Sequence, residues 1–427
     1  MPLTATNLSR RRMLAGIAFA GLGSTACAPT FARSISMEKA KGDRLDAAFR
    51  KIMGEHRLVG LSVGMIKNGR EAWSNAYGYA DLDTGRPMTV HTIQNFGSVT
   101  KIVTATAVLQ LFERGQLSLD SDINDYLRFP VRNPRFPDTP ITTRQLLAHR
   151  SSILDADAYG GSYKCGDQQQ SLRTFLETYF ASDNASQAFH EWKPGTQSPP
   201  RSSRPYSKVA FGLLGLLVES VSGLEFEEYC GDCIFRPLGM ADTGFALANI
   251  NTANHARPYA VLSEDFDPAR IRGKFLELSE FTPDQREVVP SQPWPFCFYT
   301  FATPPDGMMR TSVSDVGKFV AAWANMGLHR ESGFRILRPE TAALATTPRH
   351  FGRMLAWNER ETGFGGDAKL PGGAIVYHNG ADPGIGTLIA IRPRSAQGII
   401  VGFNRGYEDA YLNPVATTLL QALEDFA

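Results

Sequence analysis

Strand patterns stand at both ends of this chain and helix patterns fill the middle, and this order restricts the fold more than any other feature. Near the start, "GLSVGMIKNG" and "EAWSNAYGYAD" predict two strands joined by the turn "KNGR". The last hundred residues contain three more strand patterns, "GGAIVYHNG", "GTLIAIRP" and "GIIVGFNRG", and a final helix, "NPVATTLLQALEDF". Because antiparallel strands can pair across long separations, we expect both sets to form one sheet.

The middle of the chain predicts a second folded unit. The chain has 427 residues, which favours two units over one core. Helical patterns run from "TTRQLLAHRSS" to "EFEEYCGDCIF", with no clear strand between roughly 120 and 260. Residues 257–310 read as an irregular, Pro-rich and aromatic segment, and structureless loops of this length are usually functional. We predict an α+β fold with a cleft: an antiparallel sheet flanked by helices (40–118 and 307–427) and an inserted all-helical domain (119–306).

The N-terminus has the layout of an export signal. Arginines at 10–12 precede a short apolar stretch, and "SRRRML" resembles the twin-arginine signal. We therefore predict a signal peptide over residues 1–32 and a periplasmic or secreted protein, with "TFA" before Arg33 as a cleavage site. A lipid anchor on Cys27 is the alternative, although "STAC" has Ser where a Leu-like residue is usual. No run of 18 apolar residues follows residue 30, so we expect no membrane span.

Composition excludes several function classes. The formal net charge is +1, so a nucleic-acid partner is not expected. The Gly-rich stretches lack the phosphate-binding pattern G-x-x-x-x-G-K-[ST], and no cofactor is predicted. The C-x-x-C of Cys230 and Cys233 has no second pair and no neighbouring His, so we predict no metal site. With Cys165 and Cys297, four cysteines allow three disulfide pairings, which the sequence leaves open.

A Ser and a Lys three positions apart stand in the apolar segment "FGSVTKIVTA". The pattern "SVTKIVTATAVLQLFERGQL" predicts a buried helix ended by Gly115, on which Ser98 and Lys101 share a face. Gly97 lets the chain turn into the helix, and Ser98 lies where free N–H groups favour developing negative charge. A Ser hydroxyl needs a base, and desolvation in an apolar helix is expected to lower the pKa of Lys101. The pair alone equally describes a buried polar contact.

Two downstream motifs strengthen the chemical interpretation. "PYSKVAFGLLG" places Tyr206 before a helix, and "YHNGADPGIG" places His378 and Gly380 on a strand that ends in a turn. Together with S-x-x-K, they resemble the Y-x-N and K-T-G motifs of the class C β-lactamase-like family, which includes penicillin-binding proteins, D,D-carboxypeptidases and carboxylesterases. The resemblance covers about 43–425 and includes "ITTRQLLAHRSSI", "WKPGT", "FRPLGM" and "GMMRTSVSDVGKF".

The resemblance implies a role for each matched position. Ser98 resembles the acylated nucleophile, Lys101 the amine that shares its proton, and Tyr206 the base that relays a proton to the leaving group. Gly380 leaves room for a substrate along the strand. The backbone N–H groups of Ser98 and Ala381 would form the oxyanion hole.

Two positions depart from the family motifs: Lys208, which we predict to bind substrate, and His378, which we count with Ser98, Lys101 and Tyr206 as catalytic. Lys208 stands where Y-x-N has Asn, and a Lys only donates hydrogen bonds. It would hold an acidic substrate group or lower the pKa of Lys101 by like-charge repulsion. His378 replaces the Lys of K-T-G, so a cation gives way to a group that is mostly neutral at pH 7.

These features predict an exported serine hydrolase that forms an acyl-enzyme on small-molecule esters or amides and resembles a carboxylesterase. One alternative is a D,D-peptidase or β-lactamase that acts on cell-wall peptides or penicillins. The other is a non-catalytic binding homologue.

Overall fold

The structure is a computed structural model that describes residues 28–181, 186–196, 206–261, 277–279, 286, 289, 292–349, 353–362, 369–370, 372–406 and 408–425, with side chains from residue 41 onwards except at 261. The predicted signal peptide lies outside these residues except for 28–32, which begin a helix. The possible lipid anchor at Cys27 also lies outside them. The chain divides into two compact units, Met1–Arg44 and Leu45–Ala427.

The strands and helices of the described residues have the following bounds. The strands are β1 Gly60–Lys67, β2 Arg70–Asp81, β3 Arg86–Pro87, β4 Gln94–Asn95, β5 Lys164–Cys165, β6 Tyr259–Val261, β7 Pro293–Pro295, β8 Tyr299–Thr300, β9 Arg310–Thr311, β10 Asn358–Arg360, β11 Ile375–Asp382, β12 Ile385–Arg392 and β13 Gln397–Phe403. The α-helices are α1 Ala28–His56, α2 Thr100–Glu113, α3 Thr143–Leu147, α4 Asp157–Gly160, α5 Leu172–Tyr179, α6 Val209–Ser222, α7 Phe226–Cys230, α8 Arg236–Leu238, α9 Pro304–Gly307, α10 Val313–Ala324, α11 Pro339–Ala345 and α12 Asp409–Asp425. Short 3₁₀ turns lie at Gly97–Val99, Ile123–Asp125, Leu247–Asn249 and Thr252–Asn254, and a π turn lies at Gly231–Phe235.

Strands from both ends of the chain form one antiparallel sheet, as predicted. Its order is β10-β11-β12-β13-β1-β2-β3. The β1–β2 turn is made by Asn68 and Gly69, with φ of 54° and 69°, the conformation that a tight hairpin needs. The α+β prediction is therefore confirmed.

Alternate residues of the central strands bury their side chains on opposite faces of the sheet. Val63 and Val401 belong to a cluster that includes helix α12, whereas Ile66 and Ile400 belong to a larger cluster with α2, α6 and α10. Helix α10 packs directly on β1 and β13. Two-sided burial explains why the strands contain so few charged residues.

The middle of the chain contains short strands that the sequence patterns do not predict. Two of them, β5 and β6, lie in or at the edge of the region where no strand is expected, and β5 pairs with β8 while β6 pairs with β7. Strands of two or three residues are too short to show an alternating pattern. A disulfide joins Cys165 to Cys297 beside the β5–β8 pair, and Cys230 and Cys233 are free thiols.

The predicted division into a domain of 40–118 and 307–427 and an inserted domain of 119–306 stays a prediction.

In the described part of the chain, no single helix is both long and apolar enough to cross a membrane. Val209–Ser222 and Phe226–Leu238 reach those limits only when taken together, across an 80° bend.

Candidate active site

Ser98 lies in the 3₁₀ turn Gly97–Val99, immediately before α2, as the sequence predicts. Gly97 and Val99 are buried while Ser98 is half-buried. Gly97 has a φ of +52°, a conformation that favours glycine. The Thr100 hydroxyl donates to the Gly97 carbonyl at 2.6 Å and fixes the turn. The chain therefore presents the Ser98 hydroxyl at the start of a helix that is buried from Thr100 to Leu111.

Lys101 lies one turn further along and points back to Ser98. Its Nζ lies 3.3 Å from Ser98 Oγ, and its side chain has no exposed area. The same Nζ donates to the backbone carbonyl of Asp306 at 2.6 Å and lies 3.4 Å from Asp306 Oδ1. Helical spacing thus brings hydroxyl and amine together, and α9 supplies an additional acidic group.

The pKa of Lys101 moves opposite to the prediction. Burial lowers it, but the Tyr206 phenol and then the Asp306 carboxylate outweigh burial, so the pKa of Lys101 is raised above its ordinary value. The prediction of a lowered pKa is wrong because the apolar helix is not the whole environment of the amine.

Tyr206 joins the same group from the start of α6. The centroid of its ring lies 4.9 Å from Lys101 Nζ. The His149 ring stacks on it at 4.4 Å between centroids, and the Ser207 N–H donates to His149 Nδ1 at 3.2 Å. Burial and then the charge of Lys101 hold the pKa of His149 well below its usual value, so the ring is neutral and supports Tyr206 by packing.

Lys208 follows Tyr206 but lies on another wall of the site. Its ammonium lies over the Tyr159 ring, 5.1 Å from the centroid, and its backbone N–H donates to Asp155 Oδ1 at 2.8 Å. Among the described residues, its Nζ makes no hydrogen bond or ion pair. Lys208, Tyr159 and Asp155 line a cavity of about 520 Å³ together with Asp157 and Glu277.

His378 is a buried neutral group on β11. Burial and then the charge of Lys101 lower the pKa of His378 to about 3. Its Nδ1 lies 2.7 Å from the carbonyl of Asn379, so Nδ1 carries the proton and Nε2 is left as an acceptor. It lines a small enclosed cavity with Tyr206 and His149, and its burial favours the neutral form that the sequence analysis expects at pH 7.

Two glycines allow β11 to approach the turn that carries Ser98. A Cβ added to Gly380 would lie 2.3 Å from the Phe96 carbonyl oxygen and 3.1 Å from the backbone nitrogen of Ser98. A Cβ added to Gly97 would lie 3.3 Å from the nitrogen of Ala381. The backbone nitrogens of Ser98 and Ala381, proposed as the oxyanion hole, therefore both lie where β11 meets the turn Gly97–Val99. Because Gly380 has no side chain, the turn can lie directly against the strand.

A polar chain that the sequence analysis missed continues beyond Lys101. Asp306 Oδ1 lies 3.4 Å from the Tyr159 hydroxyl, which lies 3.5 Å from the Tyr163 hydroxyl. Tyr163 donates to Asp382 Oδ1 at 2.8 Å. Burial raises the pKa of Asp382 to about 6, against the opposing effect of Lys208. The available signal was Asp306 itself, one acid in the apolar stretch "FATPPDGMM".

No cofactor is needed to account for these contacts. Within the described part of the chain, no three His, Cys, Asp or Glu side chains are grouped as metal ligands.

Known proteins are similar to this chain in sequence. The chain is 31% identical over 236 residues to Esterase EstB of Burkholderia gladioli, a match that covers 54% of this chain and 56% of the esterase, so it spans about half the length of that relative. The Beta-lactamase of Psychrobacter immobilis is 23% identical over 445 residues, which cover 99% of this chain and 98% of that protein.

A solved structure has the same fold. The octameric penicillin-binding protein homologue from Pyrococcus abyssi aligns with a TM-score of 0.67 and 24% identity, over 89% of this chain and 77% of that chain. A family model described as Beta-lactamase matches residues 45–424, and the two relatives named above are an esterase and a beta-lactamase. Since that match takes in most of the sequence, including every candidate site residue, this chain belongs to the beta-lactamase family.

Proposed function

We propose that this protein is a serine hydrolase that cleaves ester or simple amide bonds through an acyl-enzyme on Ser98. The observation that carries the proposal is the 3.3 Å approach of Lys101 Nζ to Ser98 Oγ at the start of a buried helix. Tyr206 supports it because its ring contacts the same Nζ. These groups supply the nucleophile and the proton transfer that acyl transfer requires.

The proposed reaction has two halves. Ser98 Oγ bonds to the substrate carbonyl carbon while its proton passes to the Tyr206–Lys101 pair, and the carbonyl oxygen takes the displaced electron pair beside the N–H groups of Ser98 and Ala381. The carbon–leaving-group bond then breaks as the pair returns the proton to the leaving group. Water repeats these steps and releases the acid from Ser98.

Electrostatics favours esters over β-lactams or peptides with a terminal carboxylate. His378 is neutral at pH 7, so β11 offers no cation at the position where the family motif has Lys. The esterase from Burkholderia gladioli is consistent with this choice. Apart from Lys208, the residues that line the cavity beside it belong to the segments 155–200 and 257–306, to which we assign substrate specificity.

A fluorophosphonate probe tests the proposal directly. We expect stoichiometric labelling of the wild type, no labelling of Ser98→Ala, and full labelling of Ser74→Ala, a surface serine bonded to Glu71. If the folded wild type is not labelled, the protein is a binding homologue and the proposal fails.

A D,D-peptidase or β-lactamase activity is the second candidate. Lys208 favours it, since an ammonium without an ion-pair partner among the described residues suits a substrate carboxylate. A panel of nitrophenyl esters, D-Ala-D-Ala peptides and nitrocefin separates the two, with Ser98→Ala as the blank. Under the second candidate, Lys208→Met raises KM for carboxylate-bearing substrates about fivefold, as expected for an ion pair of about 1 kcal/mol, and leaves neutral esters unchanged.

We also propose export through the twin-arginine signal. Replacing the arginines at 10–12 with lysine should keep the protein in the cytoplasmic fraction, because the signal is read by its arginines. A variant that still reaches the periplasm would contradict this proposal.

A further inference from the structure

Asp306 is a charged neighbour of Lys101 that has no role in the reaction proposed above. Its side chain is 1% exposed and that of Lys101 is 0% exposed. Besides the contact with Lys101, Asp306 Oδ2 accepts from the Thr303 hydroxyl at 2.5 Å, and Oδ1 faces the Tyr159 hydroxyl. Three donors around two oxygens make the environment of an ionised carboxylate.

Lys101 Nζ faces three oxygens that can accept a hydrogen bond from it. They are the Asp306 carbonyl, the Asp306 carboxylate and Ser98 Oγ, and the Tyr206 phenol makes a further side-chain hydrogen bond with Lys101. A buried ammonium without a counter-ion is strongly unfavourable, so a paired carboxylate keeps the proton on the amine. Among the described residues, Asp306 is the one carboxylate within ion-pair distance of Lys101.

We propose that Asp306 is a positioning residue that holds Lys101 as an ammonium, aimed at Ser98 Oγ, throughout the working pH range. This inference rests on the proposed function. Ser98 Oγ then accepts a hydrogen bond from Lys101, and its own proton is left for Tyr206.

Other ionisable groups around Lys101 do not replace Asp306. These groups are Tyr206, Asp155, Asp382, His149, His378 and Lys208. Both histidines are neutral because burial and Lys101 lower their pKa values. Asp155 contacts the start of α6 through the backbone of Lys208 and Val209, and the charge of Lys208 acts on Asp306 and Asp382. Burial raises the pKa of Asp306, and Lys101, Lys208 and Thr303 oppose that rise.

The first test compares Asp306→Asn with Thr303→Val in the full chain. Asp306→Asn removes the charge and keeps the shape, whereas Thr303→Val removes one hydrogen bond to the carboxylate and keeps the charge. The rate constant for labelling by the fluorophosphonate probe is measured from pH 6 to 10.5, with the melting temperature at each pH as the folding check. The rate constant for labelling reports on the acylation step alone.

We expect the alkaline loss of the labelling rate to begin at least one pH unit lower in Asp306→Asn, because a neighbouring carboxylate shifts a pKa by about 1–3 units. Thr303→Val should follow the wild type. A superimposable profile for Asp306→Asn, or one in which labelling becomes faster at neutral pH, overturns the inference and leaves the proposed function intact. A wild type that is never labelled defeats the proposed function instead.

The second test uses the wild type alone and stands even if Asp306→Asn does not fold. Of the described lysines, Lys101 is the one that is buried. In protein labelled with ¹⁵N at lysine Nζ, we expect one ammonium signal protected from solvent exchange, still present at pH 9. The absence of a protected ammonium at pH 7 overturns the inference.

Discussion

His378 shows how burial sets the chemistry of a single side chain. A histidine on an exposed strand would carry a proton below pH 6.5 and bind anions. Here the ring is 2% exposed and Lys101 repels a second positive charge, so the neutral form persists. The residue that stands in the place of a motif cation is therefore a hydrogen-bond acceptor.

The burial of His378 as a neutral ring predicts that the protein loses stability in mild acid. The pKa of His378 is about 3 in the folded state and about 6.5 in the unfolded chain, so the unfolded state binds the proton first as the pH falls. Its contribution to stability is full above about pH 6.5 and falls by about 1.4 kcal/mol per pH unit below about pH 6. Urea unfolding at pH 7, 6 and 5 measures this.

The control for that experiment is His378→Gln, which cannot titrate. His255 has a similarly lowered pKa, about 3, and remains in the variant, so the variant should lose stability with a shallower slope. Equal slopes for wild type and variant would show that His378 is not buried as a neutral ring.

At the scale of elements, the contact between β11 and the 3₁₀ turn at Gly97–Val99 holds the site together. Thr387 on β12 donates to the Phe96 carbonyl at 2.7 Å, which ties the sheet to the turn. The nucleophile is thus positioned by strands that lie almost 300 residues further along the chain.

Gly380→Ala tests this contact. The added methyl group would lie 2.3 Å from the Phe96 carbonyl oxygen and from Thr387 Oγ1, so strand and turn must separate. We expect a stability loss of about 1–3 kcal/mol and a loss of labelling by the probe. Gly406→Ala is the matched control, because among the described residues no atom beyond its immediate chain neighbours lies within 4 Å of its added methyl group. Gly380→Ala with wild-type labelling would contradict the assigned geometry.

Local patterns account for most of what the sequence predicts about these elements. Ser98 and Lys101 are three residues apart, one at the start of α2 and one within it, so short-range spacing reveals their contact. Asp306 and Tyr159 are different, since 205 and 147 residues separate the contacts that they make with the site. No local pattern reports such a contact, so the effect of Asp306 on the pKa of Lys101 could not be predicted from the sequence.

At the scale of the whole molecule, the disulfide Cys165–Cys297 joins two segments that are 132 residues apart. Tyr163 and Tyr299 flank it and bond to Asp382 and to the Pro383 carbonyl at the end of β11. The disulfide therefore restrains the segments that carry the polar chain from Asp382 through Tyr163 and Tyr159 to Asp306.

Removing this crosslink should destabilise the protein. We expect Cys165→Ser/Cys297→Ser to lower the free energy of unfolding by about 2–5 kcal/mol, since a long loop is no longer closed in the unfolded chain. Dithiothreitol should produce the same loss in the wild type and no further loss in the double variant, because Cys230 and Cys233 are already thiols. A wild type whose unfolding ignores the reductant would contradict the prediction.

The central position of β1 has a consequence for how the chain folds. One of its edges pairs with β2, which follows at once, but the other pairs with β13, so that Leu61 lies opposite Phe403. Until β13 has been synthesised, a buried-type apolar strand has an open edge, the kind of surface on which chains aggregate. Such distant pairing also slows folding. We therefore expect fragments that end before β12 to be recovered as aggregates and the full chain to fold late, after its last strand has left the ribosome.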